Sequence, residues 1–501
     1  MKIKRIFAGV LAGAMCLTLF AGCKKNEVVV GEQVTLKYVM AGPGMQEDAP
    51  IVWEAFNKKL HEKLPNVSVE FEVVPLKEYK EKVRIMMSAR EQIDIVNNYG
   101  LDFAMEVSNG SFAPLNDLLD EYGKEIREVL PEWLWDYETI DGNIYGVPTY
   151  QMMGKMRCFC TIKDYADKYL DVEALKAAFV EEAYFSQKVY DILTDYCVKA
   201  KADGVNFKTV TILNLKGYEE VSGSYGVRYG DEGCKIVNAY ANEESMIRFK
   251  TANEWFNAGY IRKDALYAND DDNYKGKLDG MLFWDEVYTP YVADALTKRY
   301  GVEIMTIPYE VEPYITFQET AGGTSIVSSS NYKEEAMQVI NLIQTDKELY
   351  NLLVFGIEGK NYKKVDEDRI EVQYSSSPTP NVAYGLYKWI VGNTELAYNI
   401  QSEPEEYKKW VFEEVNSSNN KSFLAGFHPD TTQIQDMILQ TNLIKEQYLQ
   451  PLNVGVVPDW EANYAEYREK LVQAGEEQII AELQKQVDEF LQNKERKGDR
   501  E

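Results

Sequence analysis

Between residues 34 and 96 the sequence switches repeatedly between a two-residue and a helical hydrophobic period, and few folds accept that order. Val34, Leu36, Tyr38 and Met40 alternate as a strand does. After the turn AGPGMQED, Asp48 stands as an N-cap ahead of Trp53, Phe56, Leu60 and Leu64 at helical spacing, and Pro65-Asn66 ends the helix. Val67, Val69, Phe71 and Val73 then alternate again. A second helix through Tyr79, Val83 and Met86 leads into the short apolar strand Ile93 to Val96. Strand, helix, strand, helix, strand predicts a doubly wound α/β unit with a parallel sheet. Ligands of such sheets collect beyond the carboxyl ends of the strands, which singles out the loops Ala41 to Asp48 and Asn97 to Asp102. Gly42 and Gly44 read as a tight turn. Neither a dinucleotide glycine fingerprint nor a phosphate loop ending in Gly-Lys-Ser/Thr is present, so no cofactor is expected.

The N-terminus addresses location. Lys2, Lys4 and Arg5 precede an apolar run, Ile6 to Phe20, too short for a comfortable membrane span, and Ala21-Gly22 are small residues before Cys23. That order resembles a bacterial lipoprotein signal, although Phe20 stands where an aliphatic residue is usual, with Leu19 one further out. The resemblance implies a signal peptide over 1–22, a tether over 23–32 and an extracytoplasmic protein held to the cell membrane by lipid, palmitate included, on Cys23. The alternative is a plain secretory signal with an incidental cysteine.

Removing that signal leaves about 480 residues, more than one hydrophobic core usually supports, so two or more lobes are expected. The formal charge is −27 and falls to −30 without Lys2, Lys4 and Arg5. So acidic a chain excludes nucleic acid and anionic headgroups as partners through bulk electrostatics, and suits a soluble monomer. Cys158, Cys160, Cys197 and Cys234 lack zinc-site spacing and read as small buried hydrophobes, with a disulfide among them left open. Only two histidines occur, His61 and His428, so a His-rich metal site is excluded; His61 fits a helix C-terminus. Lys360 to Asn381, containing SSSPTP, reads as a connector. Past Phe427 two helical faces appear, Ile434 through Tyr448 and Ile480 through Leu491, before a charged end, Asn493 to Glu501, expected to fray.

Several stretches carry a family likeness. QIDIVNNYG (92–100), SFAPLNDLLDEYG (111–123), DGNIYGVPTY (141–150), GKLDGMLFWDEVYTP (276–290) and GGTSIVSSSNYKEEAMQVINLI (322–343) follow one another in a specific order. Together they resemble the extracellular solute-binding lipoproteins of ABC importers, of the large carbohydrate type. Asn143 replaces a usual lysine, and Asp279-Gly280 stand where an alanine is expected. VFGIEGKNY (354–362), Gly426-Phe427, LNVG (452–455) and LVQAGEEQIIAELQKQVDEF (471–490) resemble a subgroup with an extra C-terminal helical region of unassigned role. The resemblance implies a two-lobed periplasmic-binding-protein-like fold of type II, each lobe a doubly wound sheet with flanking helices. It places one lobe at 33–150 and 318–372, a second at 151–317 and 373–425, and a helical region at 426–498 packed on the second. Crossings between the lobes are expected near Tyr150, Phe317 and Val372. It further implies hinge closure on a small solute, a sugar or oligosaccharide favoured, with delivery to ABC permease subunits and no catalysis.

Sugar recognition needs flat aromatic faces and planar polar groups. With 35 tyrosines and 8 tryptophans, position must do the sorting. Tyr99 and Asp102 follow the third strand, Tyr150 and Gln151 sit at the first crossing, and Trp284, Asp285 and Glu286 form an aromatic-acid cluster. Glu358 lies in the Gly-Ile-Glu-Gly turn and Trp389 in YGLYKWIVGN. These nine are the expected ligand contacts. Two other functional classes remain as alternatives, a surface glycan-degrading enzyme and a ligand-presenting partner of a membrane sensor. Asp285-Glu286 are adjacent and point apart, whereas glycosidase carboxylates face each other across ~5 to 9 Å. Asp271 to Leu282 imitates a calcium loop but has Lys275 at a ligand position and Leu282 in place of the bidentate glutamate, so no metal is expected.

Overall fold

The computed structural model describes residues 32–182, 186–213, 217–268, 280–317, 322–373 and 382–498. The signal with its Cys23, most of the calcium-like loop and the SSSPTP run lie outside the described residues. The two main sheets are built from β1 (Val34–Gly42), β2 (Val67–Pro75), β3 (Ile95–Asn97), β4 (Val147–Pro148), β5 (Arg157–Ile162), β6 (Phe283–Val287), β7 (Ile304–Pro308) and β8 (Gly323–Ile326).

The first sheet has the order β2-β1-β3-β8-β4. β1 runs parallel to β2 and β3, and β8 runs antiparallel to β3 and β4. The two-residue period of β1 splits its side chains between two cores. Leu36, Tyr38 and Met40 pack with Val52, Phe56 and Leu60 of helix α1 (Ala49–Leu60), while Val39 and Ala41 pack with Tyr79, Val83 and Met86 of α2 (Leu76–Ser88). That is the doubly wound arrangement. Asp48 holds the N-cap position of α1 but makes no capping bond. Its carboxylate instead accepts from Asn361 Nδ2 at 2.8 Å and pairs with Lys360 at 3.2 Å, a stronger charge-assisted use of the same group. His61 occupies the C-cap of α1, its Nε2 2.9 Å from Ser68 Oγ.

The second lobe's sheet, β6-β5-β7, is antiparallel around β5. The helix Val292–Tyr300 returns the chain from β6 to β7, so these two strands run alike and both oppose β5. Cys158 and Cys160 point to one face of β5, among Leu282, Leu296 and Ile304, and Phe159 points to the other, toward Trp255. All four described cysteines are buried thiols.

Three runs of chain lie side by side where the lobes join. Gly154–Lys155 pairs with Tyr314–Ile315, and Ile315 exchanges backbone bonds with Asn420 and Ser422 at 2.9 and 2.8 Å. The third run therefore lies at 420–422, not near Val372. Tyr384, Leu386, Val391 and Ala397, assigned by sequence to the second lobe, pack in the core of the first. Backbone bonding explains this, since Leu386 donates to the Val354 carbonyl at 2.9 Å and Asn399–Ile400 pairs with Arg369–Val372. The expected connector 360–381 likewise contains a paired strand, Tyr362–Lys364 against Arg369–Val372.

The described chain ends in helices α4 (Gln435–Val454), α5 (Trp460–Gln473) and α6 (Glu476–Gly498), the last reaching into the stretch Asn493 to Glu501 expected to fray, whose final three residues lie outside the described ones. Ile438, Ile479, Leu483 and Val487 share a core with Val221, Tyr225 and Ile236, and Tyr448, Tyr464 and Tyr467 share another with Phe249. Among the described residues no helix is long and apolar enough to cross a membrane. The packing of 382–400 is testable. Tyr384 is buried and donates to the Leu353 carbonyl at 2.6 Å, so Tyr384→Phe should cost about 1 kcal/mol and Tyr384→Ala about 3 to 5 kcal/mol in urea denaturation.

Candidate ligand cleft

Parallel strands end together, and the loop after β3 builds the cleft. Asn97 turns inward: its Oδ1 accepts from Ala41 N at 3.3 Å, and its Nδ2 donates to the Ile390 carbonyl at 3.3 Å. The Tyr79 hydroxyl donates to the Asn97 carbonyl at 2.6 Å. Asn98 turns the other way. Its Oδ1 accepts from Gly323 N, and its Nδ2 donates to Glu138 Oε2 at 2.6 Å and to Ser325 Oγ at 3.2 Å. Gly322, at φ +73°, lies so close that a Cβ there would fall 2.4 Å from Asn98 Oδ1.

Glu138 is 2 % exposed and sits in a cradle of glycines. A Cβ on Gly146 would lie 2.1 Å from its Oε2, and one on Gly323 2.7 Å from its Oε1. Burial pushes this carboxyl up to about 8, against the pull of the Asn98 bond. It is therefore mostly protonated at neutral pH, a neutral group beneath the cleft floor.

Above the floor lies a cavity of about 480 Å³ lined from both lobes and from the C-terminal region. The first lobe gives Asn98 to Ala104, with Asp102 capping helix α3 (Phe103–Ser108) by accepting from Met105 N at 3.4 Å. Val221, Ser222 and Phe317 lie opposite, and Phe427, His428 and Pro429 close one side. The His428 ring lies 5.2 Å from that of Phe103 and bonds the Tyr137 backbone. Burial holds its imidazole down at about 4, hence neutral, and its Nε2 is buried with no hydrogen-bond partner among the described residues.

Beside Tyr99 stands an aromatic wall. Trp389 meets Tyr99 edge-on at 5.3 Å and stacks on Tyr387 at 5.8 Å and 18°. The Asn97–Ile390 bond fixes this segment against the β3 loop. Of the residues singled out by sequence, Tyr99 and Asp102 line the cavity, and Trp389 packs against Tyr99 without lining it. The others lie elsewhere. Tyr150 is buried against Phe412 at 4.9 Å, its carbonyl taken by Thr394 N at 2.7 Å, and the Gln151 carbonyl accepts from Asn416 at 2.6 Å, so both hold the junction between lobes. Trp284 and Asp285 line a separate cavity of about 210 Å³ with Arg157 and Thr209 to Leu213. Asp285 accepts from the Tyr309 hydroxyl, Trp284 packs edge-on to Tyr300 at 6.0 Å, and the Glu286 side chain turns back to Val287 N at 3.1 Å. Glu358 is exposed and faces Lys364 at 3.9 Å. Asn98, Glu138 and His428 were missed. The glycines of YGVP and GGTS, which mark where a carboxyl lies on backbone, were the available signal for Glu138.

A model for bacterial extracellular solute-binding proteins matches residues 42–349, and a domain of unknown function (DUF3502) matches 423–492. A carbohydrate ABC transporter substrate-binding protein of Streptococcus pneumoniae serotype 4 is 25% identical over 495 residues, 96% of each chain. The crystal structure of the N-glycan transport solute binding protein NgtS from Streptococcus pneumoniae matches with TM-score 0.72 at 24% identity, covering 92% of this chain and 99% of that one. Its complex with Man5GlcNAc matches at TM-score 0.61 and 25% identity, with 92% and 99% covered. A solute-binding protein of Bifidobacterium longum infantis that binds HMO gives TM-score 0.61 at 13% identity, with 92% and 99% covered.

The buried carboxyl has a pH signature. Folded Glu138 keeps its proton to about pH 8, and unfolded it loses it near 4.5, so the native state binds the extra proton between those values. Its contribution to stability therefore falls as pH rises through that window. Glu138→Gln, which mimics the protonated form, should make the melting temperature less dependent on pH between about pH 5 and 8 than in the wild type. A parallel profile for the two proteins would place the ionised carboxylate in the fold.

Proposed function

The chain belongs to the bacterial extracellular solute-binding protein family, and on that premise we propose that it captures a carbohydrate in the cleft beside Tyr99 and delivers it to an ABC importer. The observation that carries the reading is the cavity at the carboxyl end of β3, whose lining joins Tyr99, backed edge-on by Trp389, to Phe427 and to fixed polar groups. A pyranose offers C–H faces that stack on such rings, and its hydroxyls suit the neutral, fixed polar groups around them. The carbohydrate named for the full-length pneumococcal relative supports the same class. Binding without turnover fits the acids present: Glu138 is held by Asn98 and its glycine cradle, and Asp102 caps α3.

Closure would pivot on the three joined runs 154–155, 314–315 and 420–422, in the hinge mode of two-lobed binding proteins. The protein works as a monomer, tethered outside the cytoplasmic membrane by lipid on Cys23 after loss of residues 1–22. Labelled palmitate should enter the wild type and not Cys23→Ala, and equal labelling of both would remove the anchor.

For the ligand, a thermal-shift screen of residues 24–501 against mono- and oligosaccharides, amino acids and peptides decides. A specific binder at a hundredfold over its Kd stabilises by about 2.7 kcal/mol. Glycans built of mannose and N-acetylglucosamine are the first to test, and a shift with peptides alone would overturn the carbohydrate reading. Tyr99→Ala should raise the Kd of the responding sugar at least tenfold, about 1.4 kcal/mol, with little change in unliganded stability.

A further inference from the structure

A second groove lies behind the side wall of the cleft. Phe427 and His428 also line this groove, of about 1080 Å³, on the far side of the strap 425–428. One bank of this groove is the hairpin tip Asp141-Gly142 of the first lobe, and the other is the face of α6 that carries Lys485, Gln486 and Glu489. We propose that the C-terminal helical region is part of the ligand site: the groove takes further sugar units of an oligosaccharide whose first units sit beside Tyr99. This rests on the carbohydrate reading above and adds ligand size and the region that reads it.

Adjacency is the first argument, since Phe427 and His428 line both spaces. Volume is the second. The inner cavity alone lies within the range of ~300 to 1,000 Å³ usual for small-ligand sites, and the groove exceeds it. Chemistry is the third. Phe427 and Phe490 lie 5.3 Å apart, giving an apolar floor, under carboxylates, an amide and an ammonium able to meet hydroxyls.

The banks are also fixed before any ligand arrives. Asp141 and Gly142 adopt φ +51° and +81°, a tight hairpin, which Asn116 pins by accepting from Ile144 N at 2.9 Å and donating to the Gly142 carbonyl at 3.3 Å. Across the groove, Gln486 clamps the strap's continuation, donating to the Asp430 carbonyl at 2.9 Å and accepting from Asp430 N at 2.8 Å. A site ordered in advance loses less on binding.

The test is calorimetric titration of residues 24–501 with Man1GlcNAc and with Man5GlcNAc. Wild type is compared with Glu489→Trp, which fills the groove, and Lys485→Ala, which removes an exposed side chain from its bank. Melting temperatures serve as the control for folding. The inference expects Glu489→Trp to raise the Kd of the larger glycan at least tenfold and Lys485→Ala to raise it severalfold, with the disaccharide within twofold for both. Equal effects on the two glycans, or none on either, in variants that melt like wild type overturn it. A wild type that binds neither glycan but takes another ligand class overturns the carbohydrate reading itself, a different outcome from size-independent glycan binding.

Discussion

Two adjacent asparagines at the end of β3 hold the cleft together. Asn97 ties β1, Tyr38 and the Trp389 segment, and Asn98 ties Glu138, β8 and the loop that presents Tyr99. Both are buried, so each unmade bond would leave a polar atom without water, at a cost of about 1 to 3 kcal/mol. Such a network is stable only when complete, and completing it fixes the aromatic wall and the loop relative to each other. Successive residues of a strand face opposite ways. The pair can therefore serve both sides of the sheet from one point in the sequence.

That arrangement explains what could be read in advance. The alternation of β1 and β2 and the helical spacing of α1 and α2 are local, and they set the doubly wound lobe before any long-range contact is known. The rule that ligands gather past the strand ends then pointed to Tyr99 and Asp102. Glu138 and His428 carry no such pattern. Each is a single residue whose meaning comes from partners far away in sequence, Asn98 for one and Tyr137 for the other. A buried carboxyl written between ordinary neighbours looks like any surface acid.

The misplaced segment 382–400 fails for a related reason. It has only short helical and strand pieces, Lys388–Val391, Thr394–Leu396 and Asn399–Ile400, so periodicity gives no face to assign. Its lobe is decided by backbone bonds to Val354 and to the strand at 369–372. Trp284 shows the converse. Its aromatic-acid neighbourhood looks like a ligand site locally, but β6 sets it on a separate cavity within the second lobe.

The position of the strap decides how the cleft can work. Ser422 is bonded to Ile315 in the joined runs, and Phe427 comes only a few residues later. In a rotation about those runs, the parts nearest the axis move least. Phe427 and His428 sit beside those runs, and His428 packs on the first lobe against Phe103 and the Tyr137 backbone, so in the proposed closure they would keep their place relative to Tyr99. Gly426 reinforces this: at φ +83° it lies so close to the first lobe that a Cβ would fall 3.0 Å from the Asp136 carbonyl. A ligand resting on the strap would keep its contacts there in both open and closed forms, and gain the opposing contacts only on closure. Only those added contacts can drive closure, because a ligand shifts an equilibrium by its differential affinity for the two states. In the proposed closure the strap and Tyr99 would hold the ligand first, and Val221 and Ser222 of the second lobe would supply the difference that closes the lobes.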